Sequence, residues 1–152
     1  MILQRVLVPA LADALDGHLK EVAADARRIL DAEGINYTHG TSNGLYGQAT
    51  AAGLEVQGAV GSTGRGAVYA NYGRRPGRMP PDAPIRAWLR DKVGVAEGKE
   101  LDRRTYLTRR KIARRGTRAT RFLDRALALR EPDLAPTLAR AAETAMGGTS
   151  LL

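Results

Sequence analysis

The side chains that most often do chemistry in enzymes are few in this chain and poorly spaced. It has two histidines, His18 and His39, and no cysteine. Thiolate catalysis, cysteine zinc sites and disulfides are therefore excluded. No serine lies in a nucleophile elbow, and no His-Glu-x-x-His pattern occurs. We therefore expect no catalytic residue, no metal site and no cofactor, and we expect that the protein is not an enzyme.

Two other features partly match the patterns of acid–base and phosphate-binding sites. The carboxylate pairs Asp13/Asp16 and Asp31/Glu33 fall on or beside a predicted helix, where such pairs are usually solvated surface. The segment 61–66, Gly-Ser-Thr-Gly-Arg-Gly, suggests a phosphate loop but lacks the Gly-Lys-Ser/Thr ending. Since it also lies between two predicted strands, we interpret it as a hairpin turn.

Positive charge is concentrated in the middle of the chain. The net charge is +8, and residues 72–121 alone hold 16 Lys and Arg against 5 Asp and Glu, a net +11. Such a band attracts phosphate or an acidic protein surface. The candidates for facing DNA or an acidic partner are Arg109, Arg110, Lys111, Arg114, Arg115 and Arg118. Because the spacing of the five cations within 109–115 surrounds most of a helix, a solvated charged helix is the alternative.

The first half of the chain predicts one helix and one hairpin. Apolar residues recur at helical spacing from Leu11 to Leu30, with His18 expected at the flank of that stripe. Residues 34–53 are rich in Gly, Thr, Ser, Asn and Gln and predict a long loop. Alternation from Leu54 predicts a strand, and residues 67–72 are its expected hairpin partner.

The second half predicts a stiff loop and several helices. Residues 73–81 hold three prolines and three arginines, which excludes a helix or a central strand. A helix follows, with one face made of Ile85, Trp88, Leu89 and Val93. Further helices are expected over 101–115, about 120–129 and 133–146, with a break at Glu131-Pro132. The sequence thus predicts a single α+β domain over 1–152: a small antiparallel sheet, a long N-terminal helix, further C-terminal helices and a helical extension from about residue 128.

One run of residues resembles a known family. Tyr69-Ala-Asn-Tyr-Gly-Arg-Arg-Pro-Gly-Arg-Met-Pro-Pro81 is followed by Ile85 and Trp88, and then by Ile112-Ala-Arg-Arg-Gly-Thr117. This pattern, within about residues 54–127, is similar to that of the tail-completion, or minor tail component, proteins. These proteins are encoded in the head–tail joining gene clusters of lambda-like phages and prophages.

The resemblance implies a structural virion protein, assembled in the host cytoplasm and located at the neck or the top of the tail. It would be one subunit of a homo-oligomeric ring, of six or twelve copies, that joins the head to the tail around the DNA path. Its partners would be neighbouring neck, portal-adaptor, tail-tube or terminator proteins and the packaged DNA, with no membrane. The expected interface residues are Tyr69, Tyr72, Arg74, Arg75, Pro76, Gly77, Arg78, Met79, Pro80 and Pro81.

Three alternatives stay open. A tail-terminator or stopper role belongs to the same structural class. A nonspecific DNA-binding module belongs to another class and would bind DNA without any protein partner. The loop 73–81 could also be a rigid connector that only positions the Trp88 helix.

Overall fold

The computed structural model describes residues 3–34 and 40–147, and the fold is α+β, as the sequence predicts. A π-helical turn, Leu3–Leu7, leads into the first helix. The elements are α1 (Val8–Ala32), α2 (Gly40–Asn43), β1 (Leu45–Ala52), β2 (Glu55–Ser62), α3 (Ala67–Tyr72), α4 (Asp82–Asp91), α5 (Lys99–Arg115) and α6 (Phe122–Gly147).

These elements group into two compact units. The terminal unit contains Met1–Arg65 and Phe122–Leu152, and the middle unit contains Gly66–Arg121. All 16 cations of the basic band belong to the middle unit, whose net charge is +11, whereas the terminal unit carries 8 Lys and Arg against 11 Asp and Glu, a net −3. The excess positive charge of the chain is therefore a property of one unit.

Helix α1 is the centre of the terminal unit and confirms the helix predicted over Leu11–Leu30. Its buried side chains include Leu19, Val22, Ala26 and Leu30, which repeat every three or four residues. Both strands and α6 pack against α1. One helix with an apolar stripe thus becomes buried between a hairpin and a second long helix.

The hairpin is formed by β1 and β2, whereas the sequence predicts that the strand from Leu54 pairs with residues 67–72. β2 corresponds to the predicted strand, but it pairs with β1, antiparallel, with Leu45 opposite Ser62 and Ala52 opposite Glu55. β1 lies inside the predicted loop 34–53, and the segment 35–39 of that loop, with His39, falls outside the described residues. A two-residue turn joins the strands, with Gly53 at φ 64°, a conformation that favours glycine at this position.

The expected strand partner at 67–72 is wrong because that segment is helix α3. Its two buried residues, Ala67 and Asn71, are four positions apart, which is about one helical turn. The segment 61–66 consequently divides between the end of β2 and the approach to α3, and it is not a hairpin turn.

Helix α6 continues through the expected break. It runs from Phe122 to Gly147 with Pro132 and Pro136 inside it, so the two helices predicted for this region form one element. A proline in a helix interior costs about 3 kcal/mol. Packing of α6 along α1, together with its Ala- and Leu-rich sequence, outweighs that cost.

The middle unit has a small aliphatic core. Leu89, Val95 and Leu101 are buried together, and Ile85 packs against them. Trp88 and Val93, which the sequence places on the same face, are 37% and 46% exposed. Val93 lies beyond the end of α4, and α4 is too short to bury a wider stripe. The helix predicted over 101–115 is confirmed as α5, two residues longer at its start.

A buried carboxylate links α1 to α6 and makes stability depend on pH. Asp25 is 8% exposed, and the hydrogen bond from Arg130 Nε to its Oδ2, 2.6 Å long, holds the pKa of Asp25 below its ordinary value. Arg28 Nη1 donates to the other carboxylate oxygen at 2.6 Å. A lowered folded-state pKa contributes stability that is present above the unfolded pKa, near about 4, and is lost as pH falls through the folded value.

We therefore expect the wild-type protein to lose more unfolding free energy between about pH 5 and pH 3 than an Asp25→Asn variant does. Urea denaturation at both pH values measures this difference. Equal losses in the two proteins would contradict it.

Candidate interaction site

The Pro/Arg loop, Gly73–Pro81, is held against the end of α5 by its backbone. Arg74 N–H donates to the Thr117 carbonyl at 3.1 Å, and Thr117 N–H donates back to the Arg74 carbonyl at 2.9 Å. Further along the loop, Gly77 N–H donates to the Ala113 carbonyl at 2.7 Å. Near its end, Arg109 Nε donates to the Pro80 carbonyl at 2.8 Å. The loop is therefore an ordered arm fixed by hydrogen bonds along its length.

The two residues at 70–71, just before this loop, are hydrogen-bonded in the same way to the segment that follows α5. Thr120 N–H donates to the Ala70 carbonyl at 3.0 Å, and Arg121 N–H donates to the Asn71 carbonyl at 2.9 Å. The Thr120 hydroxyl also donates to the Ala70 carbonyl at 2.6 Å. Segments 70–74 and 117–121 thus pair along their length, although they lie far apart in sequence.

Two glycines let the paired segments approach. Gly73 has φ 73°, and a Cβ there would lie 2.5 Å from the Thr117 carbonyl oxygen. Gly116 has φ 72°, and a Cβ there would lie 1.9 Å from the Arg74 carbonyl oxygen. Both positions need a positive φ and the absence of a side chain. These glycines belong to the two motif segments that carry the family resemblance, and the structure brings those segments into contact.

The predicted interface residues are mostly accessible. Pro80 is buried, and Arg74 and Met79 are partly buried. The Arg74 guanidinium lies over the Tyr69 ring, 5.9 Å from its centroid, and also donates to the Arg78 carbonyl. Arg74 therefore stabilises the loop and its neighbouring helix. The exposed residues of the set are Tyr69, Tyr72, Arg75, Pro76, Gly77, Arg78 and Pro81.

The carboxylates of the middle unit are all paired with arginines that come before residue 110. Asp82 Oδ2 lies 3.0 Å from Arg109 Nη1. The carboxylates thus neutralise α4 and the first part of α5, whereas the last turns of α5 retain their positive charge. The other four acids, Asp91, Glu97, Glu100 and Asp102, pair with Arg86, Arg90, Arg103 and Arg104.

The basic stripe is the unneutralised face of α5, made of Arg110, Lys111, Arg114 and Arg115. With Leu107 these residues line a shallow hollow of about 280 Å³. Their spacing from Leu107 is i+3, i+4, i+7 and i+8, which is one helix face. The fifth cation of this segment, Arg109, lies on another side of α5, where it donates to Asp82 and to the Pro80 carbonyl.

Two further residues differ from the predicted site. Arg118 is exposed but lies beyond the end of α5, outside the set that lines the hollow. Leu107, which is 46% exposed, also lines the hollow and is not among the residues predicted from the sequence. The helical spacing from Leu107 to Arg115 is the signal that could have found it.

No protein-family model, curated protein or solved structure matches this chain significantly. Over residues 3–34 and 40–147, no cluster of three or more His, Asp or Glu side chains is arranged to hold a metal ion. None of the helices within those ranges has the length and hydropathy needed to cross a bilayer.

A second hollow lies in the terminal unit between α1 and α6, with a volume of about 400 Å³. Its lining includes four leucines and two acids, Leu15, Leu19, Leu127, Leu134, Asp124 and Glu131. His18 is 7% exposed and belongs to the lining, so its predicted place at the helix flank is wrong. The sequence spacing places His18 at the edge of the apolar stripe of α1. In the structure α6 packs over that edge and buries His18.

Proposed function

We propose that this chain is a structural subunit of the neck or upper tail of a tailed phage. As one copy in a ring around the DNA path, it joins the head to the tail, and its role is structural rather than catalytic. In this proposal it is assembled in the host cytoplasm and retained in the virion.

One observation carries the proposal: the motif segments of the resemblance bind each other and present a tyrosine and arginine surface. Tyr69 and Tyr72 are 58% and 69% exposed on α3. Arg75 and Arg78 are exposed on the adjoining loop. Tyrosine and arginine are enriched among the residues that dominate protein–protein binding. Since the backbone beneath them is already hydrogen-bonded, binding requires little additional ordering.

This surface is suited to a contact between unlike patches. A ring is built from heterologous contacts, in which one patch of a subunit meets a different patch of its neighbour. Our proposal assigns Tyr69, Tyr72 and the Pro/Arg loop to the contact with an adjacent copy or with a neighbouring neck, portal-adaptor, tail-tube or terminator protein. Ring sizes of six or twelve fit this proposal equally.

Tail terminator and stopper remain alternatives within the proposed class, because the same surface would serve either role. A rigid connector that only positions Trp88 is less well supported. Such a connector would not need exposed arginines and tyrosines around a fixed backbone, and Trp88 itself is partly exposed.

Deletion of the gene from the phage or prophage that encodes it tests the proposal. We expect lysates with DNA-filled heads and separate tails, seen by negative-stain electron microscopy, and a loss of plaque formation of several orders of magnitude. Joined, infectious particles without the chain would refute the joining role.

A further inference from the structure

We propose that the basic stripe, Arg110, Lys111, Arg114 and Arg115, binds the phosphate backbone of duplex DNA without reading its sequence. This inference rests on the proposed function, since it names what the middle unit would face within the ring. It is separate from the protein contact assigned to Tyr69, Tyr72 and the Pro/Arg loop.

The ion pairs of the middle unit leave the basic stripe available to bind an anion. The five acids of the middle unit pair with arginines at positions 86–109. None of the residues that the structure describes forms an ion pair with a member of the basic stripe. All four side chains are exposed. Four like charges on two adjacent helical turns repel one another unless an anion lies between them.

The density of charge favours nucleic acid over an acidic protein. Arg110 and Arg115 are five residues apart, about 7.5 Å along the helix axis. Duplex DNA carries one negative charge per roughly 1.7 Å of its axis, so about four phosphates fall within the same length. An acidic protein would have to hold four carboxylates this close together, at a cost in mutual repulsion.

The lining of the hollow favours phosphate contacts over base contacts. The side chains around it are the four cations and Leu107. Single-stranded nucleic acid is usually held by aromatic side chains on which bases stack. Tyr106, the aromatic residue nearest in sequence, is not part of the lining. Cations without a stacking surface are typical of contacts that position a duplex and carry no sequence information.

Salt dependence of DNA binding tests this proposal directly. We would measure the affinity of the full chain for a labelled duplex of about 30 base pairs and mixed sequence by fluorescence anisotropy, between about 50 and 200 mM salt. Four phosphate contacts predict a loss of affinity of roughly 150-fold over this range. The Arg110→Gln/Arg114→Gln variant removes two contacts, so its loss should fall to roughly 12-fold.

A matched variant controls for the loss of two charges. Lys92→Gln/Lys99→Gln removes the same charge from exposed positions of the middle unit, outside the basic stripe. It should keep a salt dependence close to that of the wild-type chain. Unfolding followed through Trp88, the single tryptophan, shows whether both variants remain folded.

Three results would overturn the proposal. One is DNA binding that is unchanged in the Arg110→Gln/Arg114→Gln variant, and another is an equal loss in both variants. A third is tighter binding to a polyglutamate peptide than to the duplex at the same salt, which would assign the stripe to an acidic protein. The proposed function fails separately: joined particles in the deletion strain would refute joining, even if the stripe binds DNA as described.

Discussion

Gly116→Ala should destabilise the middle unit by roughly 3 kcal/mol or more, the range of severe single substitutions. The new Cβ would lie 1.9 Å from the Arg74 carbonyl oxygen, which accepts the hydrogen bond from Thr117 N–H. Alanine would also have to adopt φ 72°. Because the loop backbone cannot stay in place beside a methyl group, the paired segments 70–74 and 117–121 should separate. Urea denaturation followed by Trp88 fluorescence reports this unit directly, since Trp88 lies in α4.

Gly94→Ala provides the matched control. Gly94 has φ 74°, nearly the same as Gly116, but a Cβ there meets nothing within 4 Å. The Gly94→Ala variant should therefore lose only about 1 kcal/mol of unfolding free energy, which is the cost of placing alanine at a positive φ. The difference between the two variants isolates the contact between the loop and residue 116. Equal effects would show that the two segments are not in close contact.

Gly47→Ala should disrupt the packing of the hairpin on α1. A Cβ at position 47 would lie 2.1 Å from the Leu19 carbonyl oxygen, which is backbone and cannot rotate away. β1 must move outward, and the side chain of Leu45, which is 3% exposed, would then gain water contact. We expect a loss of roughly 3 kcal/mol, because steric clash and lost apolar burial act together.

Thermal unfolding by circular dichroism measures the overall loss, and hydrogen exchange of peptides from 45–62 locates it. Gly17→Ala is the control for the same substitution within the same unit. Gly17 lies inside α1, and a Cβ added there would meet nothing within 4 Å, so alanine should raise helix stability by up to about 1 kcal/mol. We expect Gly47→Ala to lower the stability and Gly17→Ala to raise it. A Gly47→Ala variant as stable as the wild-type protein would contradict the packing described.

The helices with clear apolar periodicity could be predicted from the sequence. α1 and α5 match the expected ranges closely, and in α1 the stripe through Leu19, Val22 and Ala26 repeats at helical spacing. The extended Pro/Arg loop was also predictable, since proline excludes the regular alternatives. In each case the local sequence restricts the backbone before any tertiary contact forms.

The elements that depend on tertiary contacts were not predictable in this way. β1 contains Gly47 and three alanines, Ala49, Ala51 and Ala52, and both residue types are depleted in strands, so its strand signal is weak. Those residues fit because Gly47 must lie against the backbone of α1. α6 passes through Pro132 because α1 supplies packing along its length, which composition alone does not reveal.

In the candidate site, too, some residues could be predicted from local sequence and others depend on tertiary contacts. Tyr69, Tyr72 and the loop arginines could be named from the sequence motif. The pairing of Arg109 with Asp82, 27 positions earlier, could not be read from local spacing. That pair removes one cation from the helix surface and leaves four on a single face. The two glycine-dependent contacts at 73 and 116 likewise join segments far apart in sequence.

Complementation of the deletion strain tests the joining role most directly. Cells carrying the deleted phage would receive the wild-type gene, the Gly116→Ala gene or the Gly94→Ala gene, and the fraction of heads with attached tails would be counted by electron microscopy. We predict nearly complete joining with the wild-type and Gly94→Ala genes, and mostly separate heads and tails with Gly116→Ala or with no gene. Full joining in the strain that lacks the gene would contradict the joining role.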